Sequence, residues 1–575
     1  MRVLALVVAL AGVLTTPAAA PAAPNVVLIL TDDQRWDTLW AMPTVQRELV
    51  GRGVTFQNAF AVNPLCCPSR ASFLTGRYSH STGVYSNVPP YGGASWFDDS
   101  STLATALAAA GYRTGFVGKY LNGYLGDFVP PGWHRWVANA GGFFGYGLNV
   151  DGSFVRYGLE EAAYSTDVFA NEAVSFIQAS PDPFFLVLAP YAPHAPATPA
   201  PRHLGRHAEI QPFRPDAYDE PDISDKPAWL HAFPALADDR RIWTDDLRRR
   251  QLESLAGIDD AVRRVLETLE ASGRLANTMI VFASDNGLLL GEHRLTNRKW
   301  SAFEESIRIP FVVRYDALVT APRVDSRLVT NIDFAPTVAQ LAGTALPAVD
   351  GTSLVPLLAP AGTQPVWRTH FLIEHLQAPS GGLAEVPTYC AVRGQRLKYV
   401  LYSTREEELY DLATDPAELV NRVADAAYRE RKFALRSELK ALCTPPPPGY
   451  DLSWLCTHEG DGLDAVLRGT RLDDLICGSA AAEIVIGADG ADVLRGAAGA
   501  DDVRGGAGPD RLLPGRGRDK ADGGAGGDVL EVRDGRRDTV VCGRGRDFVR
   551  ADRRDTVARD CERVQRPRPP RRPRR

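Results

Sequence analysis

Val26-Val27-Leu28-Ile29-Leu30 runs directly into Thr31-Asp32-Asp33-Gln34. Five consecutive apolar residues, rich in β-branched side chains, read as a strand buried on both faces, because a half-exposed strand would alternate. Similar runs recur at 184–188, 279–282 and 311–313, with helical spacing of apolar residues between them at 102–110, 167–177 and 252–269. This alternation predicts an α/β domain over 24–366: a mainly parallel sheet sandwiched by helices. Carboxylates at the C-terminal end of such a strand face the crevice where α/β proteins bind ligands. Asp32 and Asp33 together are costly there unless a cation neutralises them, although an Asp-Asp pair alone reads equally as a solvated turn.

Composition narrows the class. With 45% hydrophobic and 23% charged residues in 575, disorder throughout is excluded. Sixty-four Lys and Arg against 70 Asp and Glu leave a net charge of −6, which argues against a nucleic-acid partner. Residues 1–23 combine a positive start, a short apolar stretch and an Ala/Pro-rich zone, the pattern of a secretory signal. The expected location is therefore extracellular or cell-surface associated, and disulfides are permitted. Of eight cysteines, Cys443 with Cys456 and Cys542 with Cys561 are plausible short-loop pairs, though sequence cannot fix connectivity.

Past the first domain the pattern changes. Short strands at 371–374, 389–393 and 397–402 and a helix near 426–442 predict a smaller α+β subdomain over 367–443. Thr444-Pro445-Pro446-Pro447-Pro448-Gly449 opens an extended linker over 444–461. Residues 462–562 hold a repeat: Asp492, Asp501, Asp510, Asp519 and Asp528 stand nine apart, as do Gly490, Gly499, Gly508, Gly517 and Gly526. Leu494, Val503, Leu512, Ala521 and Leu530 keep the apolar slot. Such nonads, G-G-x-G-x-D-x-U-x, form a parallel β-roll whose glycine turns and Asp carboxylates bind Ca²⁺. The region resembles the calcium-binding β-roll family of secreted bacterial proteins, and attachment to a cell surface or polymer is the role that implies. Pro514 and Arg504, Arg516 and Arg518 depart from the pattern, which leaves a metal-free glycine-rich stalk as the alternative. Residues 563–575 read as a disordered basic tail.

Four clusters carry chemistry. Asp32-Asp33 is the first. The second is Cys66-Cys67-Pro68-Ser69-Arg70, followed by Leu74-Thr75-Gly76-Arg77. Pro68 and Ser69 suit a first helical turn, so a helix N-terminus there would attract an anion with help from Arg70. The third is Gly111-Tyr112-Arg113-Thr114, leading to Gly118-Lys119-Tyr120-Leu121-Asn122-Gly123-Tyr124. The fourth is dispersed: His194 in Ala192-Pro193-His194-Ala195-Pro196, Asp285 and Asn286 after the run 279–282, and Lys299 four residues before Phe303-Glu304-Glu305.

These motifs, C-x-P-S-R with L-T-G-R and G-Y-x-T-x-x-x-G-K, resemble those of the sulfatases in the alkaline phosphatase superfamily, over about 24–445. The resemblance implies that Cys66, not Cys67, becomes formylglycine through a formylglycine-generating enzyme. It implies a metal held by Asp32, Asp33, residue 66, Asp285 and Asn286; such oxygen ligation suits Ca²⁺ or Mg²⁺, not zinc. Arg70, Lys119 and Lys299 would stabilise charge on the sulfuryl group, and His194 would protonate the leaving alcohol or bind sulfate. The hydrated aldehyde would attack sulfur, and loss of its second proton would expel sulfate. Many members carry His two residues after the lysine; here Leu121 stands there. His80 and His293 are supporting candidates. G-K-Y-L-N-x-Y with Val129-Pro130-Pro131-Gly132-Trp133 is similar to the glucosamine-6-sulfatase branch, so a sulfated carbohydrate is the expected substrate. A phosphonate or phosphate monoester hydrolase, or an inactive calcium-dependent surface-binding protein, are the alternatives.

Overall fold

A computed structural model describes residues 23–359, 365–377, 385–460, 462–463 and 465–567. The expected signal segment, except residue 23, and the end of the basic tail lie outside these residues. No helix among the described residues is long and apolar enough to cross a membrane.

Ten strands form the main sheet, in the order Arg323–Asp325, Val54–Phe56, Phe311–Arg314, Thr278–Ser284, Asn25–Thr31, Phe184–Ala189, Arg113–Lys119, Arg135–Asn139, Gly147–Val150 and Ser153–Arg156. Asn25–Thr31 lies parallel to both neighbours, with Asn25 opposite Thr278 and Thr31 opposite Ser284. Its unbroken apolar run follows from cover on both faces. Val26, Leu28 and Leu30 pack with Phe73, Leu103, Leu107 and Phe334 on one side. Val27 and Ile29 pack with Phe169, Phe176, Leu255 and Val262 on the other. The parallel centre is flanked by antiparallel pairs at Phe311–Arg314 and at the Gly147–Val150 and Ser153–Arg156 hairpin.

The helix expected at 252–269 spans Asp238–Ala271. Its first half is too charged to announce itself by apolar spacing. Arg249 bridges Asp246 and Glu253 across one turn, and Arg250 pairs with Asp246, which supports an exposed helical stretch. The helix expected at 102–110 spans Leu103–Ala109, with Thr102 capping it through a reciprocal bond with Thr105.

The smaller subdomain is an antiparallel meander of His370–His375, Tyr389–Gly394, Leu397–Tyr402 and Glu407–Asp411, covered by the helix Arg429–Leu442. Cys443, at the end of that helix, lies against the sheet and bonds Cys390. Cys456 bonds Cys477 of the first roll strands, so the expected Cys443–Cys456 pair is replaced by two longer-range bridges, while Cys542–Cys561 forms as expected. The Pro-rich run is not an extended spacer. Tyr450, Leu452 and Leu455 are buried with Leu401, Leu409 and Leu439, and the Tyr450 hydroxyl donates to the Leu401 carbonyl at 2.8 Å. The apolar residues after the prolines thus close the subdomain core.

The repeats coil into two parallel sheets, one running from His458–Glu459 to Arg563–Gln565 and the other from Val466–Arg468 to Thr556–Val557. Strands pair at an 18-residue offset through most of the stack, as Val493 with Arg511 and Ile484 with Asp502, so one coil holds two nonads. Ile476, Val485, Leu494, Val503, Leu512, Ala521 and Leu530 fill the interior. Close approach of stacked turns excludes side chains: a Cβ on Gly508 would lie 1.9 Å from the Gly490 carbonyl oxygen. The Arg429–Leu442 helix holds the first coil, where Ser437 donates to Asp474 at 2.6 Å.

Candidate active site

The parallel strands deliver their ends to one crevice. Asp32 and Asp33 follow Asn25–Thr31, Asp285 and Asn286 follow Thr278–Ser284, Lys119 ends Arg113–Lys119, and His194 lies beyond Phe184–Ala189. The helix Cys66–Thr75 enters with its N-terminus at Cys66 and is buried along its whole length. Leu65 before it is extended, and Gly76 ends it in the left-handed region at φ 72°.

Fixed cations meet buried acids. Lys119 Nζ donates to Asp32 Oδ2 and Lys299 Nζ to Asp33 Oδ1, each at 2.5 Å. Arg70 Nε donates to Asp285 Oδ2 at 2.8 Å, and its Nη1 to the Lys119 carbonyl at 2.8 Å. Burial opposes charge on Asp32, but Lys119, His194 and Arg70 override it and hold the carboxyl down at about 2. Against the same burial, Lys299 and His194 hold Asp33 below its ordinary value.

Cys66 Sγ sits among these groups, 2.8 Å from Lys299 Nζ, 3.4 Å from Asp32 Oδ1 and 4.0 Å from Asp33 Oδ1. Burial and then Asp32 push its thiol well above the ordinary range, so the unmodified cysteine is held as a thiol and is a poor nucleophile. Cys67 packs into the core behind it, its backbone N–H donating to Asn87 Oδ1 at 2.9 Å. His194 Nδ1 faces the Ala195 carbonyl at 2.7 Å; a carbonyl only accepts, so Nδ1 carries the proton and Nε2 turns to Asp33 Oδ2 at 3.6 Å. Its ring stacks on Tyr191.

The residues suit a hard cation. Ligand atoms of Asp32, Asp33, Cys66 and His194 lie within 4.8 Å of one another. Asn286 Nδ2 approaches Asp33 Oδ1 at 2.6 Å, while its buried Oδ1 has no partner among the described residues. Asp285 Oδ1 accepts from the backbone N–H groups of Asp33 and Asn286, which fixes both loops around the same point.

Other candidates fall elsewhere. His80 lies on Glu374 at 3.0 Å, and the buried His293 on Glu220 at 2.6 Å. Leu121 is in the core. Sequence reading missed the supports of the site. Ser69 donates to the Asp285 carbonyl and accepts from Asn331 Nδ2 at 2.9 Å, which ties the helix to the Asp285 loop. Arg35 is buried between Asp37 and Glu292, anchoring the Asp32-Asp33 loop to 288–292. Ser69 stood in plain view inside C-x-P-S-R; Arg35 carried no signal, because its partner is 257 residues away.

Residues 24–344 match the sulfatase family, residues 291–444 the C-terminal domain of N-sulphoglucosamine sulphohydrolase, and residues 478–512 the RTX calcium-binding nonapeptide repeat. The chain belongs to the sulfatase family of sulfuric ester hydrolases. A Drosophila melanogaster extracellular sulfatase homologue is 35% identical over 61% of this chain, but the match spans only 33% of that relative. An arylsulfatase of Volvox carteri is 32% identical, covering 76% of this chain and 79% of its own. The human N-acetylglucosamine-6-sulfatase is 31% identical, covering 70% and 82%. Among solved structures, a protein bound to its substrate D-glucosamine-2-N,6-O-disulfate superposes with TM-score 0.65 at 25% identity, covering 73% of this chain and 98% of that one. The phosphonate monoester hydrolase of Agrobacterium radiobacter shares the fold at TM-score 0.60 and 23% identity, covering 73% and 96%.

Proposed function

We propose that this sulfatase is a secreted enzyme that hydrolyses 6-O-sulfate esters of amino sugars, with residue 66 converted from cysteine to formylglycine. The observation that carries the reading is the placement of Cys66 Sγ at a helix N-terminus, between Asp32, Asp33 and Lys299. The hydrated aldehyde supplies the nucleophilic hydroxyl, and a Ca²⁺ or Mg²⁺ held by Asp32, Asp33, Asp285, Asn286 and residue 66 supplies Lewis acidity. Three carboxylates face three fixed cations here, so a divalent ion leaves the crevice positive and ready for an anionic ester.

The chain's own residues do the rest. Asp32 or Asp33, whose carboxylates lie 3.4 and 4.0 Å from Cys66 Sγ, takes up the proton of the attacking hydroxyl. Lys119, Lys299 and Arg70 are already oriented by their acids and hold the sulfuryl oxygens with little reorganisation. His194, acting as the imidazolium with its Nδ1–H on the Ala195 carbonyl, gives the leaving alcohol the proton of its inward-aimed Nε2. Three disulfides fit an oxidising compartment.

The repeats are proposed to bind Ca²⁺. Asp492, Asp501, Asp510, Asp519 and Asp528 are buried, and each Oδ1 accepts from a backbone N–H one coil earlier. Each Oδ2 is buried with no partner among the described residues. A panel of sugar sulfates, aryl sulfates, choline sulfate and phosphonate esters tests the function. The expected outcome is highest kcat/KM on N-acetylglucosamine 6-sulfate; phosphonate turnover far above every sulfate would overturn it.

A further inference from the structure

A cavity of about 180 Å³ opens beside the crevice, bounded by residues next to the catalytic groups. Leu65 immediately precedes Cys66, and Trp300 immediately follows Lys299. Val88 closes another wall, and Leu376 and Val386 come from the smaller subdomain. The lining is mostly apolar, with two polar atoms left over. Trp300 Nε1 and His375 Nδ1 are both buried and have no partner among the described residues. Each leftover group carries a desolvation cost unless a ligand or water satisfies it.

The two atoms offer opposite chemistry. Trp300 Nε1 can only donate. His375 Nε2 faces the Val386 carbonyl at 3.3 Å, so Nε2 carries the proton and Nδ1 presents a lone pair. Burial pushes the imidazole down to about 4, which keeps it neutral and Nδ1 an acceptor at physiological pH. His375 itself is 4% exposed. Trp300 is held at φ 81°, a backbone region costly for a bulky residue, while the Tyr389 hydroxyl donates to its carbonyl at 2.9 Å.

We infer that this cavity is a specificity subsite for the acetamido group of an N-acetylated amino sugar, read by Trp300 and His375. The inference rests on the sulfate-ester reading above. A secondary amide places one acceptor and one donor side by side and ends in a methyl group. Its carbonyl meets the Trp300 indole N–H, its N–H meets His375 Nδ1, and its methyl fills the space between Leu65, Val88, Leu376 and Val386. A hydroxyl leaves the apolar wall empty. An N-sulfo group would enter with a charge that this wall cannot solvate. An N-sulfo group would also meet the carboxylate of Glu385 at the cavity's border.

The test compares kcat/KM of the mature enzyme on four 6-sulfates: N-acetylglucosamine, glucosamine, N-sulfoglucosamine and glucose. The acetylated substrate is expected to lead glucose 6-sulfate by tenfold or more, with the N-sulfo substrate lowest. Trp300→Phe and His375→Leu should each shrink that lead about tenfold, through KM more than kcat, and His375→Asn, which keeps an acceptor, should restore part of it. Product inhibition of the unaltered enzyme gives the same answer without a variant: N-acetylglucosamine should inhibit at least tenfold more tightly than glucose. Equal kcat/KM on the four sulfates, with equal inhibition by the two sugars, would overturn the subsite and leave the sulfatase reading standing. Hydrolysis of phosphonates but no sulfate would remove both.

Discussion

The crevice and the roll both bury rows of carboxylates, and burial has opposite outcomes in the two. Asp32 is covered completely, yet Lys119, His194 and Arg70 bring its carboxyl down to about 2. Asp492 is as well covered, but its neighbours are Asp510 and Asp474 one coil away. Burial, with those acids, lifts it to about 7 despite a backbone N–H on Oδ1. Asp501, Asp510 and Asp538 rise to about 6 for the same reason. The crevice therefore carries countercharge of its own in Lys119, Lys299 and Arg70. The stacked acids of the roll meet backbone dipoles instead, and the proposed Ca²⁺ would keep them ionised.

Crevice and roll should part most visibly at Lys119. Lys119→Met removes the main countercharge of Asp32 and a donor for the sulfuryl oxygens, so kcat should fall about 10²–10³-fold. The calcium-dependent transition of the roll should keep its midpoint in the same variant. Steady-state kinetics and a calcium titration followed by circular dichroism read the two halves separately, and a shift of both would deny their independence.

Truncation after Thr444 comes next. It removes Tyr450, Leu452 and Leu455 from the subdomain core, each worth about 1.5–3 kcal/mol. The melting temperature of the remaining enzyme should fall by many degrees. Ending the chain after Glu459 keeps these residues and should cost much less. Equal melting of the two truncations would return 444–461 to the role of a spacer.

The smallest effect is the pH response of the roll. Its acids are raised in the folded state from 3.8 to about 6–7, so between pH 4 and 7 the folded form binds more protons than the unfolded one. Without calcium, the roll should lose stability as pH rises through that window. With calcium, this loss should disappear. Asp510→Asn should raise the calcium-free melting temperature by about 4 °C and weaken the calcium-induced rise. Calcium-free stability that increases from pH 4 to 7 would contradict the raised acidities.

Much of this was legible because each signal was local. The run Val26–Leu30 stated that both sheet faces are covered, and Asp32-Asp33 stood at its end. The nonads stated their nine-residue period, and the structure sets two of them in each coil. What stayed hidden depends on where distant segments land. The Cys390–Cys443 bridge needs the Arg429–Leu442 helix laid on the smaller sheet. The burial of Tyr450, the docking of Asp474 on Ser437 and the Arg35–Glu292 pair all join elements whose spacing follows no period. The charged first half of Asp238–Ala271 hid for the converse reason: it has little apolar face to display.

The chemistry of the crevice turns on the state of residue 66. Burial and Asp32 raise the Cys66 thiol, which weakens it as a nucleophile, and the proposed mechanism places a formylglycine there instead. Trypsin should release residues 53–70, and mass spectrometry of that peptide from fully active enzyme reads the answer directly. An aldehyde at position 66 and an intact thiol at Cys67 are expected. Two intact thiols in enzyme of full activity would contradict it.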